Sequence, residues 1–97
     1  MEKLAFLVRL EAKPGKEKQL VELLESLMKL ANTEPGTVRW YGFQLSANLF
    51  GVFDTFEGEQ GQEAHLAGPV AKLLMEKAGD LLAAPPTIDK ATLVAIK

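Results

Sequence analysis

Two Pro-Gly pairs, Pro14-Gly15 and Pro35-Gly36, enclose the segment that most constrains how this chain can fold. Between them Leu20, Val21, Leu23, Leu24, Leu27, Met28, Leu30 and Ala31 recur at three- and four-residue spacing, the period of a helix with one broad apolar face. Such a face must be buried. Lys29, near the far end, suits the negative pole of the helix dipole. Proline cannot continue a helix and glycine accepts backbone angles other residues avoid, so Glu34-Pro35-Gly36 stops the helix and turns the chain into a strand.

Four segments read as strands: Lys3 to Ala12, Thr37 to Leu45, Leu49 to Phe56 and Thr87 to Ile96, each rich in β-branched, aromatic or alternating apolar residues. Ser46-Ala47-Asn48 is a polar hinge short enough to join the second and third as an antiparallel hairpin. From Glu57 the pattern turns helical, and Gly58, Gly61 and Gly68-Pro69 read as punctuation that breaks it into pieces. The longest piece is Pro69 to Ala78, with Val70, Leu73, Leu74 and Ala78 as its stripe, continued loosely by Leu81 and Leu82. Pro85-Pro86 then forces an extended approach to the last strand. The order β-α-β-β-α-β predicts an α+β, ferredoxin-like domain: a four-stranded antiparallel sheet with helices on one face.

At 97 residues, 47% hydrophobic and 25% charged, the whole chain 1–97 is expected to be one globular domain without a linker. A net charge of −2 leaves no basic footprint, so neither nucleic acid nor a membrane is an expected partner. The absence of cysteine excludes disulfides, thiolate catalysis and cysteine metal sites, and fits a cytoplasmic location. Leu4, Phe6, Val8 and Leu10 alternate with polar residues, which reads as a strand rather than a leader; the mature protein is expected to begin at Met1.

Both sheet faces carry apolar residues. Phe6, Val8 and Leu10 oppose Ala5 and Leu7; Val38 and Trp40 oppose Tyr41 and Phe43; Phe50, Val52 and Phe56 oppose Leu49 and Phe53. Helices cover only one face, and a monomer rarely leaves so large an apolar patch in water, so a homodimer is expected.

His65 is the only histidine and titrates near neutrality, which suits a general base; a packing or capping role is the alternative. No second histidine or cysteine is present to complete a zinc or haem site, so no metal and no cofactor are expected. Asp54 and Phe56 share a strand face just before the helix of His65, a spacing that permits an Asp54–His65 proton-transfer pair against an aromatic wall. Asp54 as a strand-end acceptor of backbone hydrogen bonds is equally compatible. Arg9 and Arg39 lie mid-strand, where a guanidinium can hold an enolate or phenolate, or pair structurally with Glu11, Asp54 or a dimer partner. Trp40 offers an indole donor and a flat wall for a planar ligand, with core packing as the other reading.

The Pro14-Gly15 helix start, the Glu34-Pro35-Gly36-Thr37-Val38-Arg39-Trp40 junction, and Asp54-x-Phe56 followed by His65-Leu66 resemble the antibiotic biosynthesis monooxygenase family of the dimeric α+β barrel superfamily. The resemblance covers nearly the whole chain. It implies a homodimer whose two sheets form a barrel, with a pocket in each subunit between sheet and helices. Family members include cofactor-independent monooxygenases that oxidise quinols or anthrones with O2, haem-degrading enzymes, and proteins without known activity. Asp54, Phe56 and His65 match in type the acidic, aromatic and histidine positions of small quinol-oxidising members, with Phe56 where tryptophan is frequent. The residues at the haem-degrading positions are Val8, Phe56 and Met75, none able to do those jobs. The resemblance therefore implies a monooxygenase acting on a small phenolic, quinol or anthrone-like substrate and O2, with His65 and Asp54 catalytic and Phe56, Trp40, Arg39 and Arg9 binding substrate. A non-catalytic dimeric small-molecule binder and a stress or scaffold protein are the other readings of the same fold.

Overall fold

Leu20, Leu23, Leu24, Leu27 and Ala31 bury the expected helix face, forming one side of α1 (Glu17–Ala31) in a computed structural model that describes residues 1–97. They pack on an antiparallel four-stranded sheet of β1 (Leu4–Glu11), β2 (Thr37–Gln44), β3 (Leu49–Phe56) and β4 (Thr87–Thr92), in the order β2-β3-β1-β4. Phe6, Val8 and Leu10 of β1 and Phe50, Val52 and Phe56 of β3 supply the sheet's half of the core. Val70, Leu74 and Leu81 of α3 (Pro69–Leu81) join α1 in covering it, and the short α2 (Glu59–Leu66) closes the end near Phe56. Each such aliphatic or aromatic side chain contributes about 1.5–3 kcal/mol when fully buried, which is why the periodicity of α1 dictates its placement. No helix is long and apolar enough to cross a membrane.

Four details depart from the sequence expectation, and each has a physical cause. β4 stops at Thr92 instead of Ile96 because its partner β1 begins at Leu4; the bond from Leu93 N–H to Lys3 C=O is the last available, and the tail beyond has no strand to pair with. Gly61 does not break a helix: α2 runs through it. A Cβ at Gly36 would sit 2.9 Å from Cα of Gly61, so the two glycines let α2 press its backbone against the start of β2. α3 continues past Ala78 to Leu81, where Gly79 has no steric or conformational reason to end it. Val21 and Met28, expected in the buried stripe, are 41% and 40% exposed and border an open groove of about 430 Å³ between α1 and β2.

The strand alternation also breaks at one place that matters for the site. Thr37 pairs with Phe56 and Arg39 with Thr55, so Val38 is the extra residue of a β-bulge and is exposed instead of sharing a face with Trp40. The bulge places both Thr37 and Trp40 on the helix side of the sheet. On the opposite face Leu7, Phe53 and Tyr41 are cross-strand neighbours across β1, β3 and β2. Leu7 and Phe53 are half-buried and Tyr41 is exposed, and the tail residues Leu93, Ala95 and Ile96 lie beside this row around a shallow depression.

Candidate active site

Elements distant in sequence bring two carboxylates to the single histidine. His65, on the last turn of α2, lies with Nδ1 2.6 Å from Glu34 Oε1 and Nε2 2.8 Å from Asp54 Oδ2. Its side chain is 8% exposed, that of Asp54 1% and that of Glu34 11%, so these are contacts in a low-dielectric interior. Glu34 ends the turn after α1, where Pro35 and Gly36 deliver it toward α2. Asp54 is the helix-facing residue of β3 between Val52 and Phe56. The Thr37 hydroxyl donates to Glu34 Oε1 at 3.1 Å and lies 3.4 Å from His65 Nδ1, holding that carboxylate in register.

The two carboxylates are not equivalent. Glu34 Oε1 meets His65 Nδ1 in hydrogen-bond geometry. Asp54 Oδ2 is close to Nε2 but off the direction in which Nε2–H would donate, and neither Asp54 oxygen accepts a well-aligned hydrogen bond. Burial alone pushes the imidazole pKa down, but the contacts with Asp54 and then Glu34 outweigh it and hold His65 above its usual value. The cluster is thus a histidine held between two carboxylates, with neither Asp54 oxygen meeting an aligned donor. A buried acceptor without a donor costs about 1–3 kcal/mol, and such groups are few in folded proteins.

Asp54 and His65 line a small cavity of about 30 Å³ between sheet and helices, walled otherwise by apolar side chains and by Trp40. The Trp40 indole Nε1 is buried and has no acceptor. Leu66 and Ile88, 42% and 44% exposed, form the rim on the solvent side. A single water or hydroxyl needs about 10–15 Å³ of such space, so the cavity admits a group of that size while an aromatic ring must part the rim.

The other residues singled out by the sequence fall elsewhere. Phe56 is fully buried and stacks beside His65 with ring centroids 5.3 Å apart; Phe6 packs edge-on to it at 5.5 Å. Phe56 therefore backs the histidine and is not among the residues that line the cavity. Arg9 pairs across the sheet with Gly51 and Thr87, and Arg39 with Thr55; both are on the face away from His65. Arg39 meets Glu2, Nε to Oε1 at 3.4 Å, and Arg9 forms no salt bridge, so the pairings expected with Glu11 and Asp54 do not occur. Glu34 was missed as a site residue because its place before Pro35-Gly36 reads as a helix stop. No group of three or more His, Cys, Asp or Glu side chains is arranged to hold a metal ion.

No family model matches the chain, and no curated protein matches it. Among solved structures, it is 49% identical to NE2512 of Nitrosomonas europaea, a protein of unknown function, over 100% of this chain and 94% of that one, with a TM-score of 0.97. A candidate antibiotic biosynthesis monooxygenase of Nitrosomonas europaea superposes with a TM-score of 0.82 at 17% identity, over 91% of this chain and 95% of that one. Another, from Caulobacter crescentus, gives 0.84 at 15% identity, over 97% and 92%. At those two identities the likeness is one of fold. The chain belongs to the family of NE2512, and its fold is that of the antibiotic biosynthesis monooxygenases.

Proposed function

We propose that the protein is a cofactor-independent monooxygenase that oxidises a small phenolic, quinol or anthrone-like substrate with O2 and works as a homodimer. The observation that carries this reading is Asp54: a fully buried carboxylate without an aligned donor, touching a histidine, in a cavity otherwise apolar. The pair removes a phenolic or activated C–H proton. The resulting anion passes an electron to O2 and the two radicals combine as a peroxide, which breaks its O–O bond on reprotonation. For an activated methylene the balance is CH2 plus O2 to C=O plus H2O, with the substrate supplying every electron that O2 takes up. The protein's part is to stabilise the anion beside the buried pair and to exclude water.

The outer row of Leu7, Phe53 and Tyr41 supports a dimer closed through the sheet faces, since α1 and α3 are occupied with the other face. One observation favours a second reading. Side chains fill the cavity down to about 30 Å³, as a dimeric scaffold with a structural ion cluster would have it. O2 consumption with a panel of hydroquinones and anthrones separates the two, after subtraction of spontaneous autoxidation. Saturable uptake that falls by about 10²-fold or more in His65→Ala supports the enzyme. Uptake absent across the panel supports the scaffold.

A further inference from the structure

Trp40 and Asp54 are direct cross-strand partners on β2 and β3, and both face the cavity. The indole Nε1–H has no acceptor and the carboxylate has no aligned donor, yet they do not bond to each other. A group that bridges them must accept from one and donate to the other. A carboxylate ligand would be repelled by Asp54, an ammonium would leave the indole unanswered, and a C–H acid offers the indole nothing at the reacting atom. A neutral hydroxyl satisfies both. Its size also fits a cavity of about 30 Å³, with the rest of the ligand extending toward the rim at Leu66 and Ile88.

We propose that this cavity seats the free hydroxyl of a phenol or hydroquinone, its oxygen accepting from Trp40 Nε1–H and its proton donated to Asp54. The inference rests on the monooxygenase reading and narrows it, from phenols and C–H acids alike to hydroxyarenes. On activation the O–H bond breaks, the proton passes to an Asp54 oxygen, and the electron pair stays on the phenolate oxygen beside the indole N–H and the His65 ring. Trp40 and Asp54 are then catalytic residues, and Glu34 is a positioning residue that acts through His65 Nδ1.

Trp40 is the only tryptophan, so a ¹⁵N-labelled protein gives one indole N–H signal. The experiment titrates wild type with 4-fluorophenol and with 4-fluoroanisole, which keeps the oxygen but lacks the proton, following affinity by ¹⁹F signals and contact by the indole signal. The expected result is saturable binding of the phenol with a downfield indole shift, and an ether at least about tenfold weaker because Asp54 goes unanswered. Trp40→Phe and Asp54→Asn each weaken the phenol by a similar factor. Equal affinity for phenol and ether, or no indole shift at saturation, overturns the proposal without recourse to any variant, as does the absence of saturable binding. Phenol binding with the indole shift in a protein that consumes no O2 supports the hydroxyl seat while the oxygenase reading falls.

Discussion

Alanine at two helical glycines should move stability in opposite directions, and the difference isolates the contact that seats α2. Alanine is favoured over glycine inside a helix by about 1 kcal/mol. At Gly79, within α3, a Cβ meets nothing within 4 Å, so Gly79→Ala keeps the whole gain. For a chain of 97 residues that is a rise in Tm of about 4–8 °C. At Gly61 the same methyl would sit 2.8 Å from the carbonyl oxygen of Gly36 and 3.3 Å from its Cα, both backbone atoms that cannot rotate away. That is about 0.6 Å short of an ordinary contact, and overpacking of this kind costs about 1–3 kcal/mol. Gly61→Ala should therefore lose about 1 kcal/mol net, leaving the variants about 2 kcal/mol apart. Thermal melts at one fixed protein concentration, so that self-association does not intrude, provide the assay. A second readout follows from His65 lying one turn beyond Gly61: pushing α2 outward lengthens the 2.6 Å bond to Glu34 and lets the histidine pKa fall. A Gly61→Ala protein as stabilised as Gly79→Ala would refute the close-approach argument.

The single histidine should titrate above the ordinary imidazole value of about 6.5 in an NMR pH series, and both Asp54→Asn and Glu34→Gln should lower it. A wild-type titration at or below that value contradicts the cluster. Because the folded pKa is raised, the histidine's contribution to stability is fully present below the unfolded value of about 6.5 and lost as pH rises through the folded one. Wild type should thus lose more stability than His65→Gln over that rise. Light scattering should give about twice the 10.6 kDa chain mass, and Phe53→Asp on the outer sheet face should return it to one. A wild-type monomer at micromolar concentration would sink the barrel.

How much of this was legible in the sequence depends on how local the signal is. The α1 face and the strands announce themselves by period, because burial of one face is enough to fix them. Asp54 and His65 could be paired from sequence since a strand end and the following helix leave them little room to separate. Glu34 could not, because its contact with α2 depends on Gly36 and Gly61 meeting, a tertiary event between distant segments. The face shared by Thr37 and Trp40 was hidden for another reason: the bulge at Val38 breaks the alternation that strand reading assumes. Arg9 and Arg39 drew attention by type, while their alternation with Val8 and Trp40 already assigned them to the other side.

Proton abstraction by the buried cluster can be observed with oxygen withheld. Anaerobic mixing of the protein with an anthrone or hydroquinone whose anion absorbs in the visible tests the step before any autoxidation intervenes. Wild type should develop the anion spectrum saturably, Asp54→Asn should not, and admitting O2 should bleach it as product forms. A wild-type protein that binds such a compound and leaves it fully protonated would contradict the assignment of Asp54 and His65 as the proton-accepting pair.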